Sequence, residues 1–209
     1  MLKERSCGIL LHITSLPSSY GIGDLGPEAY KFADFMLHSG LTYWQILPLN
    51  PVEGKSGYSP YSGLSAFAGN PMLISPELLM DEGYVQEQDL QHTAKFNDQQ
   101  VLFEPVISLK KELLEKAYKS FEKSATERQS GLFKKFCHEH KVWLDDFAEY
   151  MALKNYFGGQ AWFEWPSDLR DREKNSLKKF RKKLKKSIRQ EKFLQFVFFQ
   201  QWQTLKLYC

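Results

Sequence analysis

Two strand-length apolar runs near the start of the chain flank a segment with helical spacing. The runs are 8–13 (GILLHI) and 43–49 (YWQILPL), and neither alternates clearly between apolar and polar residues. Runs of this kind are typical of strands that are buried on both faces of a parallel sheet. The segment 28–39 follows Pro27 and precedes Gly40, which favours a helix between the two runs. The pattern therefore predicts a βαβ unit and a parallel sheet.

A long loop rich in turn-forming residues follows each predicted strand. The loops are 14–26 (TSLPSSYGIGDLG) and 50–71 (NPVEGKSGYSPYSGLSAFAGNP). In parallel β/α folds, active sites are built from the loops at the carboxyl ends of the strands. We therefore expect both loops to lie on the functional side of the fold.

The second half of the chain has helical rather than strand spacing. Apolar residues recur at steps of three and four, which predicts helices over 106–121, 132–156 and 172–208. The pattern indicates no strand after any of these helices. Because two strands leave open edges and uncovered apolar faces, the sequence predicts an incomplete α/β fold.

Composition and cysteine usage exclude several classes of protein. With 209 residues, 43% of them apolar and 25% charged, the chain has an ordinary globular composition. Three widely spaced cysteines, Cys7, Cys137 and Cys209, indicate neither a disulfide framework nor a zinc site. No apolar stretch approaches the length of a membrane span, which takes about 18 residues. We expect a reduced, cytoplasmic protein without a metal, and we expect Cys137 to pack with His140 in a core.

Two local patterns allow more than one interpretation. The glycines of 21–26 (GIGDLG) match a dinucleotide fingerprint, but about seven residues separate them from the preceding strand, whereas the fingerprint follows its strand directly. We expect these glycines to serve loop turns and a helix start. The run 174–192 carries ten Lys or Arg against one Glu, which could bind nucleic acid or an acidic membrane. An apolar stripe that includes Leu177 and Leu184 favours a solvated helix face instead.

The segment 59–71 is the most informative part of the second loop. It reads SPYSGLSAFAGNP and combines small residues with one tyrosine, Tyr61. A second tyrosine, Tyr58, lies directly before the segment. Placed after a parallel strand, such residues could stack on and hydrogen-bond a polyhydroxylated substrate. A structural turn explains the same residues equally well.

Read together, these motifs resemble the amylomaltase family, the 4-α-glucanotransferases also called disproportionating enzymes. The resemblance rests on motifs that follow one another in order: Arg5-x-x-Gly8-Ile9-Leu10-Leu11-His12-x-x-Ser15-Leu16-Pro17, Gly21-Ile22-Gly23-Asp24-Leu25-Gly26, Trp44-Gln45-Ile46-Leu47-Pro48-Leu49, Ser59-Pro60-Tyr61, Ser65-Ala66-Phe67-Ala68-Gly69-Asn70-Pro71, Trp143-Leu144, Trp162-x-x-Trp165-Pro166 and Gln201-Trp202-x-x-Leu205-Lys206-x-Tyr208.

The resemblance implies the amino-terminal part of a (β/α)8 TIM barrel, with the first two strands and a largely helical insertion. Residues 1–104 would form the first β/α units with long substrate-side loops, and residues 105–209 a helical insertion leading towards a third strand. The family transfers α-1,4-glucan segments between maltodextrins with retention of configuration. It needs no nucleotide sugar, no cofactor and no metal for this chemistry. We therefore expect maltodextrins as partners, and neither nucleic acid nor a membrane.

The resemblance also indicates which functional residues to expect. The family's nucleophile and acid/base are expected beyond Cys209, so no catalytic residue is assigned here and the 209-residue chain is expected to be inactive alone. Tyr61 resembles the tyrosine that lines the cleft beside the bond that is cut, and Ser59 lies with it as a second substrate-binding residue. His12, Asp24 and Trp44 match family motifs and are expected to serve loop and barrel architecture. The alternative is a non-catalytic truncated product, or a glucan- or nucleic-acid-binding module.

Overall fold

The two amino-terminal strands form a parallel pair in the computed structural model, which describes residues 5–92, 95–97 and 99–209. Strand β1 (Gly8–Leu10) pairs with strand β2 (Tyr43–Gln45), with Gly8 opposite Tyr43. Helix α1 (Pro27–His38) connects them and has its proline in the first turn after an extended Gly26. The predicted βαβ unit is confirmed.

Both strands are shorter and more exposed than the sequence predicts. Leu10 on β1 is 58% exposed and Tyr43 on β2 is 44% exposed. The outer side of α1 is also open, with Phe35 and Leu37 exposed, while its Ala29 is buried. The prediction of strands buried on both faces is therefore wrong for the described residues, because two strands and one helix cover only part of the apolar surface that a larger sheet would bury.

Helices make up most of the remaining described chain. They are α2 (Pro76–Asp81), α3 (Glu87–Leu90), α4 (Phe103–Ser124), α5 (Glu127–Glu139), α6 (Lys141–Tyr156), α7 (Ser167–Arg170), α8 (Lys174–Lys183) and α9 (Lys185–Tyr208). Single 3-10 turns lie at Ile13–Ser15, Gly54–Ser56, Pro71–Leu73 and Trp162–Glu164.

Two of the predicted long helices are interrupted once each. The segment 132–156 divides at His140, whose φ of −100° and ψ of 10° leave the helical region between α5 and α6. The segment 172–208 divides at Leu184, with φ −102° and ψ 17°, between α8 and α9. Apolar residues continue at helical spacing across both breaks, so periodicity alone predicted uninterrupted helices.

The described residues group into two compact units. The loop unit contains the chain up to Ala125 together with Val197–Cys209, and the helical unit contains Thr126–Phe196. In the loop unit the buried residues come from the loops as well as from the helices: Ile13, Leu16, Ile22, Leu25, Leu73, Ile74, Leu79, Val106, Leu114 and Phe198. The sequence predicted a boundary after residue 104, between the barrel units and the helical insertion. This boundary is a different property from the division into compact units, and it stays a prediction.

The core of the helical unit includes the apolar stripe of the lysine-rich run. Leu177 lies in one buried cluster with Leu153, Trp165 and Leu169, and Leu184 packs against this cluster. The lysines between these positions are exposed. The predicted solvated face of an amphipathic helix is confirmed.

Candidate functional site

The two loops that follow the strands are tied to each other by backbone hydrogen bonds. In the first loop, the Gly23 N–H donates to the Thr14 carbonyl at 3.2 Å. The Leu25 N–H then reaches the Leu73 carbonyl at the end of the second loop, at 2.9 Å. Asn70 is anchored in turn, because its N–H donates to the Leu49 carbonyl just after β2 at 2.7 Å. The loops are therefore ordered parts of one structure.

A cavity of about 270 Å³ lies between these loops and α4. Its lining comes from the first loop, the second loop and α4, and comprises His12, Thr14, Ser15, Ile22, Leu47, Pro48, Asn50, Val52, Tyr58, Pro60, Asn70, Met72, Leu73, Phe103 and Ile107. A neighbouring cavity of about 500 Å³ shares Thr14, Ser15, Ile22 and Phe103 with it. No described residue that lines either cavity is an aspartate or glutamate. Hydroxyls, amides, an imidazole and aromatic rings suit the binding of a neutral polar ligand.

His12 lines the smaller cavity and carries a polar atom without a partner. Its Nδ1 is buried and forms no hydrogen bond within the described part of the chain. Burial lowers the pKa of the imidazole below its ordinary value. The ring is therefore neutral at neutral pH and can act as both donor and acceptor.

Tyr58 and Phe103 form an aromatic wall of this cavity. Their rings stack with centroids 4.0 Å apart and planes 8° apart. The Tyr58 hydroxyl donates to Glu104 Oε1 at 2.7 Å, and this hydrogen bond raises the pKa of the phenol, with smaller contributions from burial and from the charge of Glu104. Tyr58 has a φ of +56°, a left-handed conformation that is uncommon for tyrosine. Stacking and hydrogen bonding together hold the ring in place.

Two asparagines shape the second loop from inside. Asn50 Nδ2 donates to the carbonyls of Ser65 and Ala68 and so spans the segment between them. Asn70 Oδ1 accepts from the Met72 N–H at 3.0 Å and caps the turn that follows. Both asparagines line the cavity, so the side chains that fold the loop also present polar atoms near the ligand space.

The two substrate-binding residues predicted from sequence lie beside the cavity but are not part of its lining. Ser59 Oγ accepts from the Tyr61 N–H at 3.3 Å, and the Ser59 carbonyl accepts from the Ser62 N–H at 3.0 Å. The Tyr61 ring is 76% exposed. The geometry is that of a structural turn that presents an open ring, with Pro60 and Tyr58 turned to the cavity. Substrate binding by Tyr61 and Ser59 stays a prediction.

The glycines of 21–26 serve the loop rather than a dinucleotide. Gly21 has a φ of +75°, and a Cβ there would lie 2.3 Å from the Phe96 ring. A Cβ on Gly23 would lie 2.0 Å from the Ile13 carbonyl oxygen. Strand β1 ends at Leu10, well before the first glycine. The loop-turn interpretation is confirmed.

A larger groove of about 700 Å³ lies within the helical unit, but its carboxylates are already engaged. Arg181 donates two hydrogen bonds to Glu149, both at 2.8 Å, and Lys192 pairs with Asp145. Carboxylates held in this way are poorly placed to act as nucleophile or proton donor. Across residues 5–92, 95–97 and 99–209, no group of three or more His, Cys, Asp or Glu could hold a metal ion. In the same ranges, no helix is both long and apolar enough to span a bilayer.

Sequence reasoning missed the contribution of α4 to the site. Phe103 and Ile107 line the cavity from this helix, whereas the sequence pattern began the helix at residue 106 and assigned residues 105–209 to an insertion. One signal was available, because the two residues are four apart and so lie on one face of the helix. Which loop that face meets is a matter of tertiary structure.

Comparisons with known proteins agree on one family. The family model described as 4-alpha-glucanotransferase matches residues 11–209. The 4-alpha-glucanotransferase of Aquifex aeolicus is 50% identical over 205 residues, which cover 98% of this chain and 40% of the relative. That of Thermus thermophilus is 40% identical over 99% of this chain and 40% of the relative. The chain thus spans about 40% of the length of these curated relatives.

Solved structures give the same result. The amylomaltase from Streptococcus agalactiae in complex with acarbose superposes with a TM-score of 0.92 at 40% sequence identity. The match covers 98% of this chain and 41% of that one. The amylomaltase from Corynebacterium glutamicum matches with a TM-score of 0.67 at 18% identity, which supports the fold alone. From the loop motifs, the fold and these matches, the chain belongs to the 4-alpha-glucanotransferase family.

Proposed function

We propose that the protein transfers α-1,4-glucan segments from one maltodextrin to the 4-hydroxyl of another, with retention of configuration. The observation that carries this proposal is the family match, which extends over residues 11–209. The cavity between the strand loops combines an apolar and aromatic lining with a few uncharged polar side chains, which is consistent with a carbohydrate ligand.

The arrangement of the elements supports a proposal about architecture. The parallel pair β1–β2, with its crossover helix α1, is the repeating unit of a (β/α)8 barrel. Both long loops follow the carboxyl ends of the strands, where such barrels place their active sites. We assign residues 1–104 to the first β/α units and residues 105–209 to a helical insertion.

The chemistry of the reaction limits what this chain contributes. Retaining transfer uses two carboxyl groups about 5 Å apart, one as nucleophile and one as acid/base. The described lining of the two cavities offers none. We therefore assign substrate binding to this chain, and we place the two carboxyl groups in the part of the family's length that it does not span.

Within this proposal, Tyr61 offers its open ring face to a sugar and Ser59 supports the turn that presents it. Sugar rings present C–H faces that pack on aromatic rings, and such a contact contributes about 1 kcal/mol beyond area burial. The solved relative is a complex with acarbose. We expect acarbose to bind this protein near the Tyr61 ring.

The test of function is a disproportionation assay with maltotriose and no nucleotide sugar, made on the full-length protein, which includes the two carboxyl groups expected beyond Cys209. We expect release of glucose together with longer maltodextrins. Tyr61→Ala should lower kcat/KM by about fivefold or more, the equivalent of about 1 kcal/mol. Tyr61→Phe keeps the ring and should retain most activity, and Val142→Ala, at a 94% exposed position, serves as a surface control.

Different results separate the candidate functions. Absence of redistributed products would refute the transferase proposal. Retention on amylose without turnover would indicate a glucan-binding protein instead. Retention on DNA that falls steeply with salt would indicate a nucleic-acid-binding module. Unchanged kinetics of Tyr61→Ala would remove that residue from the site.

A further inference from the structure

We propose that the buried ion pair between Asp24 and Lys110 positions the walls of the sugar-binding cavity against one another. The inference rests on the proposed function, because it assigns the pair a role in substrate binding. It concerns two residues that lie outside the cavity lining and act through the loops and the helix that form it.

The lysine lies at the centre of a closed polar cluster. Its Nζ donates to Asp24 Oδ2 at 2.8 Å, to the Met72 carbonyl at 2.8 Å and to the Ile74 carbonyl at 2.9 Å. The Lys110 side chain is 1% exposed and that of Asp24 is 7% exposed. An ammonium group has three protons, and three acceptors at hydrogen-bond distance match that number.

The aspartate extends the cluster to the start of α1. Its Oδ1 accepts from the Gly26 N–H at 3.0 Å, directly before the helix. The neighbouring Leu25 N–H donates to the Leu73 carbonyl at 2.9 Å. The pair therefore joins three segments that are distant in sequence: the first loop, the end of the second loop and α4.

Each of these segments contributes cavity wall close to the pair. Met72 and Leu73 line the cavity from the turn directly after the second loop, and the Met72 carbonyl is itself bound by Lys110. Ile107 lines it from α4, three residues before Lys110 and on the same side of the helix. If α4 moved away from the Met72 segment, the two walls would separate and the cavity would change its width.

The chemistry of the pair favours a positioning role over a purely stabilising one. Desolvating two charges costs several kcal/mol, and apolar residues of similar volume often stabilise a core as well or better. A buried ion pair does, however, fix the relative position of the segments that it joins, because its hydrogen bonds are satisfied in few arrangements. A lysine suits three acceptors around one point, whereas the planar fork of an arginine does not.

The experiment compares Lys110→Met and Asp24→Asn with Phe121→Ala, which alters a buried residue further along α4, with every variant made in the full-length protein. All variants are measured at a temperature far below their melting transitions. We expect KM for maltotriose to rise about tenfold or more in the two pair variants. We also expect the Leu25 and Gly26 amides to exchange hydrogen about tenfold faster in them. Phe121→Ala should lower the Tm with both quantities unchanged, and Lys110→Arg should not restore KM.

KM and local hydrogen exchange together distinguish a positioning role from a purely stabilising one. If the pair variants lower the Tm but leave KM and local exchange as in the wild type, the pair only stabilises the fold and the proposal is wrong. If Lys110→Met does not fold, the isosteric Asp24→Asn decides alone. If the wild type itself shows no transfer, the proposed function fails; faster exchange at Leu25 and Gly26 would then still support positioning of the loops, and unchanged exchange would refute it.

Discussion

The two units of the chain use charge in different ways. In the loop unit, Asp24 and Lys110 form a desolvated pair whose side chains are 7% and 1% exposed. In the helical unit, Arg181 is 55% exposed where it pairs with the nearly buried Glu149. The comparison predicts that a buried ion pair contributes strongly to the stability of the loop unit, and that apolar packing contributes more than ion pairs to the stability of the helical unit.

The difference follows from the elements that each unit contains. The loop unit adds polar links between distant segments to its apolar core; the Gln201 side chain, for example, accepts from the Ser75 N–H and donates to the Ser75 carbonyl. The helices of the helical unit bury an apolar stripe and leave most of their charges in water, where ion pairs contribute little. Loss of a paired charge should therefore cost more in the loop unit than in the helical unit, and within the helical unit loss of apolar volume should cost more than loss of an ion pair.

Breaking the buried pair should have the largest effect. Lys110→Met leaves Asp24 buried without its cation, so we expect the free energy of unfolding to fall by about 3–5 kcal/mol. Urea unfolding followed by circular dichroism measures this. The matched control is Lys111→Met at the exposed neighbouring position, which should change stability by less than about 0.5 kcal/mol. Equal effects of the two substitutions would contradict the comparison.

Opening the core of the helical unit comes next. Leu177→Ala removes a side chain that is 7% exposed and packs with Leu153, Trp165 and Leu169. We expect a loss of about 2–4 kcal/mol, because transfer energy is lost and a cavity remains. Lys178→Ala, on the solvated side of the same helix, is the control and should be near neutral. The same unfolding measurement applies, and a loss below about 1 kcal/mol would show that the cluster is not the core.

Removing the half-exposed pair should have a smaller effect. Arg181→Met leaves the carboxylate of Glu149 without its two hydrogen bonds, and we expect a loss of about 1 kcal/mol after allowing for solvent screening. The loss should shrink in the double variant with Glu149→Gln, where no charge is left unpaired. A loss as large as that of Lys110→Met would remove the distinction between the units.

The most exposed of these ion pairs should have the smallest effect. Arg172 and Asp146 are 63% and 62% exposed and lie 3.0 Å apart. We expect Arg172→Met to change the free energy of unfolding by less than about 0.5 kcal/mol, and 1 M salt to abolish the difference. A larger loss of unfolding free energy that persists in 1 M salt would show that this surface pair stabilises the fold.

Much of the fold was predictable from the sequence because local spacing reports local structure. Pro27 and Gly40 bracketed α1, and the runs on either side gave the parallel pair. The break at His140 was not predictable, because the apolar spacing continues through it. The second loop was predicted to lie on the functional side of the fold; Tyr58 in this loop lines the cavity, whereas Tyr61 does not, and substrate binding by Tyr61 stays a prediction.

Sequence by itself determined the βαβ unit, the two loops, the amphipathic lysine run and the family, because each depends on residue types at short, regular spacing. Tertiary structure alone decided that Lys110 is buried and meets Asp24, 86 positions earlier in the chain. In the sequence, this lysine stands in a helix where charged residues usually face water. Only the folded chain brings together the three acceptors that make its burial possible, and with it the cavity between two loops and α4.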